Sequence, residues 1–476
     1  MNLDRRTSLA LAAVLILAFA TRFVMATVAV NEMWPDEVFQ TLEQAHRVVF
    51  GPGIVPWEFR LGIRSWLFPG ALAGVMRLSA FFGVDTAYRT WITAFLCALA
   101  VAPVGVVFGF ARRRFGTAAA VAAGIVMSSW FELVYFAGKA LTEVVAGHLL
   151  LCAVFIEPTR RPIRFGALLG TACALRVQLV PAALVAMLVS GWMADTHKRL
   201  SMVIALVLPV LLVGALDAAT WSYPFQSFVE NVRVNVLQGK SLKYGVAPPW
   251  AYVRSELDVL AWAALPLWAA AIWGARRAPS AGCAALAIVG IHSLFEHKEY
   301  RFVFPALAII VALAAIGVAA IWTRSRVLAS LAVSVLVAAS VTRGLAFSTE
   351  QTTLALKLYP DGSLWSNDRG PLLAFERLGR DKRICGVGLL NIPWYRTGGY
   401  AWLHRDLPIV IMKKVQSNKR HAAGVNGLVT PVGLGQRLGE YERIECWPGA
   451  CAYQRAGSCN PLPGYALNDV LRANGE

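Results

Sequence analysis

The sequence predicts an all-α polytopic membrane protein that carries a small α/β domain at its C-terminal end. Three observations predict it. Of 476 residues, 57% are hydrophobic and only 15% charged, with mean hydropathy +0.56. The apolar residues fall in blocks of about twenty, the length a helix needs to cross a bilayer. From about residue 350 those blocks shrink to strand length, at 383–390, 407–412, 426–432 and 443–447, separated by Gly, Pro and charged clusters.

The net charge of +17 raises the question of nucleic acid, and its placement excludes that partner. Basic residues sit in the short gaps between apolar blocks: Arg5-Arg6, Arg112–Arg114, Arg160-Arg161 with Arg164, Lys198-Arg199, Arg276-Arg277, and Arg324 with Arg326. Scattered clusters of this kind set membrane topology, because Lys and Arg resist translocation, whereas a nucleic-acid surface needs one contiguous basic face.

Taken in order, the expected spans are 8–30, 88–111, 117–136, 141–157, 164–175, 177–193, 201–220, 259–275, 281–295, 302–322 and 326–347. That is about eleven transmembrane helices, each basic cluster falls inside, and the odd count puts the C-terminus outside. Ala18-Phe19-Ala20 has the form of a signal-peptide cleavage site, but cleavage would free the following loop from its anchor. The apolar stretch 66–82 is short and contains Arg77, and reads as an interfacial or re-entrant helix. As a full span it would turn Arg112–Arg114 outward. The expected division is a transmembrane domain at 1–349, with an extracytoplasmic loop at 31–87, and a soluble extracytoplasmic domain at 350–476. Cys97, Cys152, Cys173 and Cys283 lie in apolar runs, as small core residues do. Cys385, Cys446, Cys451 and Cys459 lie in the outward domain, where one or two disulfides can form in three possible full pairings.

Two polar motifs stand against this apolar background. Charge in or beside a lipid-embedded segment costs roughly 2.5–3.5 kcal/mol per residue on insertion scales, so it marks function more often than accident. The first motif, at 35–46, reads PDEVFQTLEQAH. On a regular helix Asp36, Gln40 and Glu43 share a face, and a carboxylate of Asp36 or Glu37 can take a proton from an acceptor hydroxyl. The same acids would also complement a helix dipole after Pro35. Trp57-Glu58 and Arg60, Arg64 follow a Gly/Pro turn. Two arginines four apart on a helix point the same way, and guanidinium forks match phosphate oxygens, although an interfacial Trp/Arg anchor has the same composition. The second motif, HSLFEHKEYRFVFP at 292–305, crowds His297, Lys298, Glu299 and Arg301 between apolar runs. A zinc site from His292, Glu296 and His297 is disfavoured by the cations Lys298 and Arg301. Arg176 interrupts an apolar stretch with no acid near it in sequence, whereas Lys139 and Glu143 have the spacing of a structural ion pair. The loop holding Arg233, Lys240, Lys243, Tyr244 and Trp250 is either a lid or a connector.

These motifs, in this order, resemble glycosyltransferase family 22, the polyprenyl- or dolichyl-phosphate-mannose-dependent α-mannosyltransferases of GPI-anchor and N-glycan assembly. The resemblance rests on Pro35, Asp36, Glu37, Phe39, Gln40, Glu43 and His46; on Trp57, Glu58, Arg60, Arg64 and Ser65; on Tyr244-Gly245 with Pro249-Trp250; and on His297, Lys298, Glu299, Arg301 and Phe302. The segment 385–412 is similar to the outward segment of the GPI members. Departures are Trp34 before the first motif and Lys139-Ala140-Leu141-Thr142 before Glu143.

The resemblance implies a GT-C fold and an inverting transfer of mannose from a polyprenyl-phosphate-mannose donor to a lipid-linked or glycan acceptor. It implies Asp36 and Glu37 as catalytic carboxylates. Arg60, Arg64, Arg176, His297, Lys298 and Arg301 become donor-phosphate ligands, and Gln40, Trp57, Glu58, Tyr244, Trp250 and Glu299 acceptor or sugar contacts. No metal and no cofactor is expected. The Arg/Ala/Val bias, and the lack of a C-terminal dilysine or KDEL-type signal, fit a bacterial inner membrane, with the ER membrane the eukaryotic counterpart. A lipid or sugar-lipid transporter is the competing class, and it lacks the internal repeat that class often shows.

Overall fold

The computed structural model describes residues 4–191, 194–355, 362–412, 423–434, 438–460 and 464–474. By contact the chain divides into two compact units, residues 1–29 with 93–363 and residues 30–92 with 364–476.

Six helices are long and apolar enough to cross a membrane: Arg5–Val28, Asp85–Phe115, Thr196–Thr220, Ala251–Ala275, Tyr300–Trp322 and Arg326–Leu345. A seventh candidate is the pair Thr117–Ser129 and Phe131–Ala137, bent by 59°. The remaining expected spans form shorter helices, Thr142–Phe155, Pro162–Leu175, Val177–Ser190 and Pro279–Leu294. A helix of 14 residues such as Thr142–Phe155 is about 21 Å long, short of the roughly 30 Å hydrocarbon core. Arg176 is the break between two of them, its backbone extended at φ −145°, ψ 95°. The helix Tyr300–Trp322 is buried by protein along nearly its whole length and forms the centre of the helical unit.

Neighbour contacts give the helices their relative directions. Thr7 Oγ1 lies 2.9 Å from Thr117 Oγ1, Val14 packs against Gly124, and Arg22 reaches Met127 and Ser128, so the first helix runs parallel to Thr117–Ser129. Gly166 meets Met202, and Gly170 meets Leu206, so Pro162–Leu175 runs parallel to Thr196–Thr220. These are the directions that alternating spans would give them. The glycines allow this contact: a Cβ on either would stand 2.1 Å from a carbonyl oxygen of the neighbouring helix. Arg114 Nη1 donates to the Arg277 carbonyl at 2.6 Å, which brings two of the basic clusters together. Arg22 was not singled out from sequence. Its side chain is buried, and it donates to the carbonyls of Ala18, Met127 and Ser128. It thereby satisfies two of the carbonyls exposed where the helix Thr117–Ser129 breaks.

The second unit is built on a five-stranded sheet of β1 (Val387–Leu390), β2 (Ile409–Met412), β3 (Gly427–Thr430), β4 (Glu442–Trp447) and β5 (Ala450–Gln454). Its order is β2-β1-β3-β5-β4, with β1 parallel to β2 and β3, and β5 antiparallel to β3 and β4. Helix Arg369–Arg380 covers one face. Val38, Phe39 and Ile54 of the first loop bury themselves in the same core, among Phe375, Leu378, Leu389, Ile409 and Val429. Apolar burial therefore holds residues 30–92 to the sheet. The stretch read as interfacial forms the 15-residue helix Leu67–Phe81 within this unit.

Of the three pairings open to the four C-terminal cysteines, the chain uses Cys385–Cys459 and Cys446–Cys451. The second joins directly opposed residues of β4 and β5. The first closes a sequence separation of 74, for which loop-closure entropy is worth about 4 kcal/mol. Cys385→Ser is expected to lower unfolding stability by about 2–4 kcal/mol. The check is the thermal midpoint of the detergent-solubilised protein with and without reductant. A variant that melts with the oxidised wild type would show that the bond adds nothing.

Candidate active site

The candidate residues fall into two sets, one in each unit. In the sheet-bearing unit, Pro35–Glu37 opens a helical run with Pro35 at its first position, where a missing N–H is harmless. The run loosens to π-helical at Val38–Leu42 and returns to α-helix at Glu43–Phe50. A π turn inserts an extra residue and rotates the helix beyond it, so Glu43 leaves the face expected to be shared with Asp36 and Gln40.

Gln40 and Glu43 take different partners. Gln40 Nε2 donates to Glu58 Oε1 at 3.0 Å. Both Glu43 oxygens accept backbone N–H groups, from Ile54 at 2.8 Å, Tyr400 at 2.9 Å and Ala401 at 2.7 Å. His46 Nε2 lies 3.0 Å from His404 Nδ1, and its other nitrogen 2.9 Å from the Pro52 carbonyl. Glu43 and His46 thus tie the first loop to the segment before β2. Burial drives the Glu43 carboxyl up to about 7 in spite of the three donors.

Asp36 is half-buried and Glu37 buried. Glu58 is buried too, and its carboxyl is raised to about 7, first by burial and then by the negative charge of Asp36, with Arg64 opposing. Asp36, Gln40, Glu58 and Arg64 therefore act on one another as one polar group. The arginine pair needs correction. Helix Trp57–Arg60 stops at Leu61, and Gly62 turns the chain with φ 65°, so Arg60 and Arg64 do not share a helix face. The charge acting on Arg60 is the like charge of Arg472, while that of Arg64 acts on Glu58. Trp57 is half-buried at the start of the same short helix.

Glu58 yields a pH prediction. Its carboxyl rises from 4.5 to about 7 on folding, so the folded form binds a proton that the unfolded form releases. The stabilising contribution is full below about pH 4.5 and is lost as pH climbs through about 7. Glu58→Gln, which cannot ionise, is expected to remove that decline. Melting curves from pH 5 to 8 that fall in parallel for wild type and Glu58→Gln would contradict it.

In the helical unit, the second set is a chain of charge pairs. Arg301 Nε donates to Glu299 Oε2 at 2.8 Å, Nη2 to Glu299 Oε1 at 3.1 Å, and Nη1 to Glu143 Oε1. Arg176 Nη1 lies 3.7 Å from Glu143 Oε2, so its neutralising acid comes from a distant helix. Glu143 is thus committed to Arg176 and Arg301, and the expected Lys139–Glu143 helical pair is not its arrangement. Lys139 lies in the break before helix Thr142–Phe155, and its ammonium sits 5.2 Å from the centre of the Tyr135 ring. Both Arg176 and Arg301 also stack over Phe302, at 5.2 and 4.8 Å from its centre.

His297 bridges this network to the loop. Nδ1 lies 2.9 Å from the Gly245 carbonyl and Nε2 3.2 Å from Glu299 Oε1. Burial alone would lower the imidazole, but the Glu299 carboxylate outweighs it and the net direction is upward. Burial likewise opposes ionisation of Glu299, yet Arg301 and His297 bring it down to about 2. Lys298 is buried, with its ammonium donating to the Phe295 carbonyl. Tyr244 packs near His297 at 6.2 Å between ring centres, and the Ala247 N–H donates to the Glu296 carbonyl at 2.9 Å. The loop is therefore tied to the motif, while Trp250 remains exposed. Among the described residues, no three His, Cys, Asp or Glu side chains are placed to hold a metal ion.

The fold has solved counterparts. It matches ArnT from Cupriavidus metallidurans, crystallised with undecaprenyl phosphate, with a TM-score of 0.58 at 12% identity over 96% of this chain and 99% of that one. It also matches the oligosaccharyltransferase of Archaeoglobus fulgidus in the apo form, with a TM-score of 0.52 at 11% identity over 97% of this chain and 76% of that one. At such identity the likeness is one of fold. The molecule is thus an integral membrane protein with the GT-C fold of membrane glycosyltransferases.

The Alg9-like mannosyltransferase family model matches residues 13–404, and the chain belongs to that family. Among its relatives, GPI mannosyltransferase 3 of Yarrowia lipolytica is 28% identical over 414 residues, 83% of this chain and 76% of that protein. GPI alpha-1,2-mannosyltransferase 3 is 26% identical in Mus musculus, over 57% of this chain and 52% of that protein, and 25% identical in Homo sapiens, over 62% and 55%. The chain spans about half the length of these last two.

Proposed function

We propose that the protein transfers mannose from polyprenyl-phosphate-mannose to a hydroxyl of a lipid-linked or glycan acceptor, on the extracytoplasmic face of the membrane and with inversion at the sugar carbon. The observation that carries the reading is the half-buried Asp36 grouped with Gln40, Glu58 and Arg64, inside a family match that also takes in the His297–Arg301 motif. The relatives' names support mannose as the sugar, and the undecaprenyl phosphate bound by ArnT supports a lipid-phosphate donor.

The acceptor oxygen attacks the anomeric carbon as its proton passes to Asp36. The bond from that carbon to the phosphate oxygen breaks, and the polyprenyl phosphate leaves with the electron pair. At neutral pH the phosphate needs little protonation but does need positive charge to receive it. His297, Lys298, Arg176 and Arg64 are assigned to that charge. Arg301 is assigned to holding Glu143 and Glu299 in place. Arg60, beside Arg472, is left with a weaker role. Gln40, Trp57, Glu58, Tyr244, Trp250 and Glu299 are assigned to the sugar and acceptor. Eleven crossings result if the bent pair and the four shorter helices of the helical unit all cross. Loop 31–87 and residues 350–476 then share the outward side, where the two disulfides form.

The test is incubation of membranes containing the protein with radiolabelled polyprenyl-phosphate-mannose and lipid acceptors, with transfer read by chromatography. Label is expected in the acceptor, with or without EDTA. Labelling that occurs only from a different polyprenyl-phosphate sugar would replace mannose in the reading. Activity abolished by chelator and restored by a divalent ion would recast Asp36 and Glu37 as metal ligands. A C-terminal reporter active only when exported is expected to be active, and cytoplasmic activity would overturn the span count.

A further inference from the structure

Tyr300 stands between Glu299 and Arg301 in the second motif but joins neither network. It is fully buried, and its hydroxyl contacts two carboxyls: it donates to Glu132 Oε1 and lies 2.8 Å from Glu256 Oε2. Glu132 accepts a further bond from Trp130 Nε1 at 2.9 Å. Phe136 and Phe347 pack on the Tyr300 ring, at 6.5 and 6.2 Å between centres. Among the described residues neither Glu132 nor Glu256 has a salt bridge. The other charged groups on the packed elements are engaged elsewhere. Arg301 is held by Glu143 and Glu299, Lys139 lies over Tyr135, and Arg343 donates to the carbonyls of Val259 and Asp258.

A phenol carries one proton, and two hydrogen bonds to carboxyl oxygens need two. Two carboxylates without a cation in so dry a place would repel each other and lose their hydration together. One carboxyl must therefore bring its own proton. Glu132, with two donors, suits the ionised form. Glu256, whose one hydrogen bond among the described residues is to the phenol, suits the neutral acid that donates to the phenol oxygen. We infer that Glu132, Tyr300 and Glu256 hold a shared proton, and that this protonated clasp positions the turn His297–Arg301 for the donor phosphate. The positioning half rests on the reading of that turn given above. While the proton is present the turn is anchored through Tyr300. Once pH rises far enough to remove it, two like charges face the phenol and the anchor is lost.

The experiment has two arms. Infrared difference spectra of the purified protein without substrate, wild type against Glu256→Gln, are expected to show a protonated carboxylic-acid carbonyl band that the substitution removes. In transfer assays with polyprenyl-phosphate-mannose, Tyr300→Phe is expected to raise the donor KM about ten- to a hundredfold, the worth of a charged hydrogen bond, with kcat near wild type. Glu256→Gln, whose amide donates to the phenol but cannot ionise, is expected to keep the low KM to higher pH than wild type. No band lost in Glu256→Gln overturns the shared proton. A Glu256→Gln enzyme whose alkaline limb matches wild type overturns the positioning role, and decides the matter even where Tyr300→Phe does not fold. A band without any transfer by the wild type overturns the donor reading and leaves the shared proton standing.

Discussion

Asp36→Asn is expected to insert and fold as wild type does, yet to transfer sugar roughly 10²–10⁴-fold more slowly, the loss that removing a general base carries. The amide keeps the size and the hydrogen-bonding reach of the carboxylate and loses only its capacity to accept the proton. Asp36 is preferred to Glu37 because it is half-buried at the first helical turn, whereas Glu37 is only 8% exposed. Glu58, held by Gln40 and raised by burial and then by Asp36, places a second carboxyl in the same group. Near-normal turnover in Asp36→Asn together with a dead Glu37→Gln would exchange the two roles. Single-turnover rates at saturating donor are the measurement, since they separate chemistry from binding.

Arg301→Ala is expected to have a large effect of a different kind. The guanidinium is 3% exposed and holds both Glu143 and Glu299. Removing one partner of a buried pair leaves the other charged and dry, which costs about 3–5 kcal/mol. The variant should express poorly and melt early, with no transfer. Adding Glu143→Gln is expected to recover part of the stability and none of the transfer. Lys298→Ala should behave otherwise: a sound fold and donor binding weaker by about 1.5–3 kcal/mol. If Arg301→Ala melts with the wild type and keeps its donor KM, the network described for this motif is wrong.

The helical class was legible because bilayer thickness and positive charge leave a strong periodic trace. Lengths were less so: Thr142–Phe155 has the apolar composition of the longer helices and forms only 14 residues of helix. Four of the five strands were legible as short apolar runs. β5, which follows β4 after only Pro448-Gly449, was not read as a strand. Composition marked where the chain turns polar near residue 350, but not that Val38 and Phe39 bury themselves in that polar part's core. The candidate residues were legible as types and not as partners. Arg176 looked unopposed because its acid, Glu143, is 33 residues away in sequence and adjacent in space. Glu132, Tyr300 and Glu256 are separated by 44 residues or more along the chain, with no local spacing to betray them. The clue available was the hydroxyl of Tyr300 in a motif otherwise read for its charges.

Arg22 has a consequence for how the protein is made. An arginine in a nascent span disfavours release into lipid by up to roughly 2.5–3.5 kcal/mol, less when it lies toward the helix end. Its partners at Met127 and Ser128 are synthesised about 105 residues later, a delay of roughly 5–20 s at ordinary translation speed. The first helix is therefore expected to linger at the insertion machinery until the third apolar block arrives, and the two then leave for the bilayer as a pair. Crosslinking of stalled nascent chains provides the measure. Chains ending near residue 116 should still contact the translocon through the first helix, chains extending well past residue 137 should not, and Arg22→Leu should release the helix early in both.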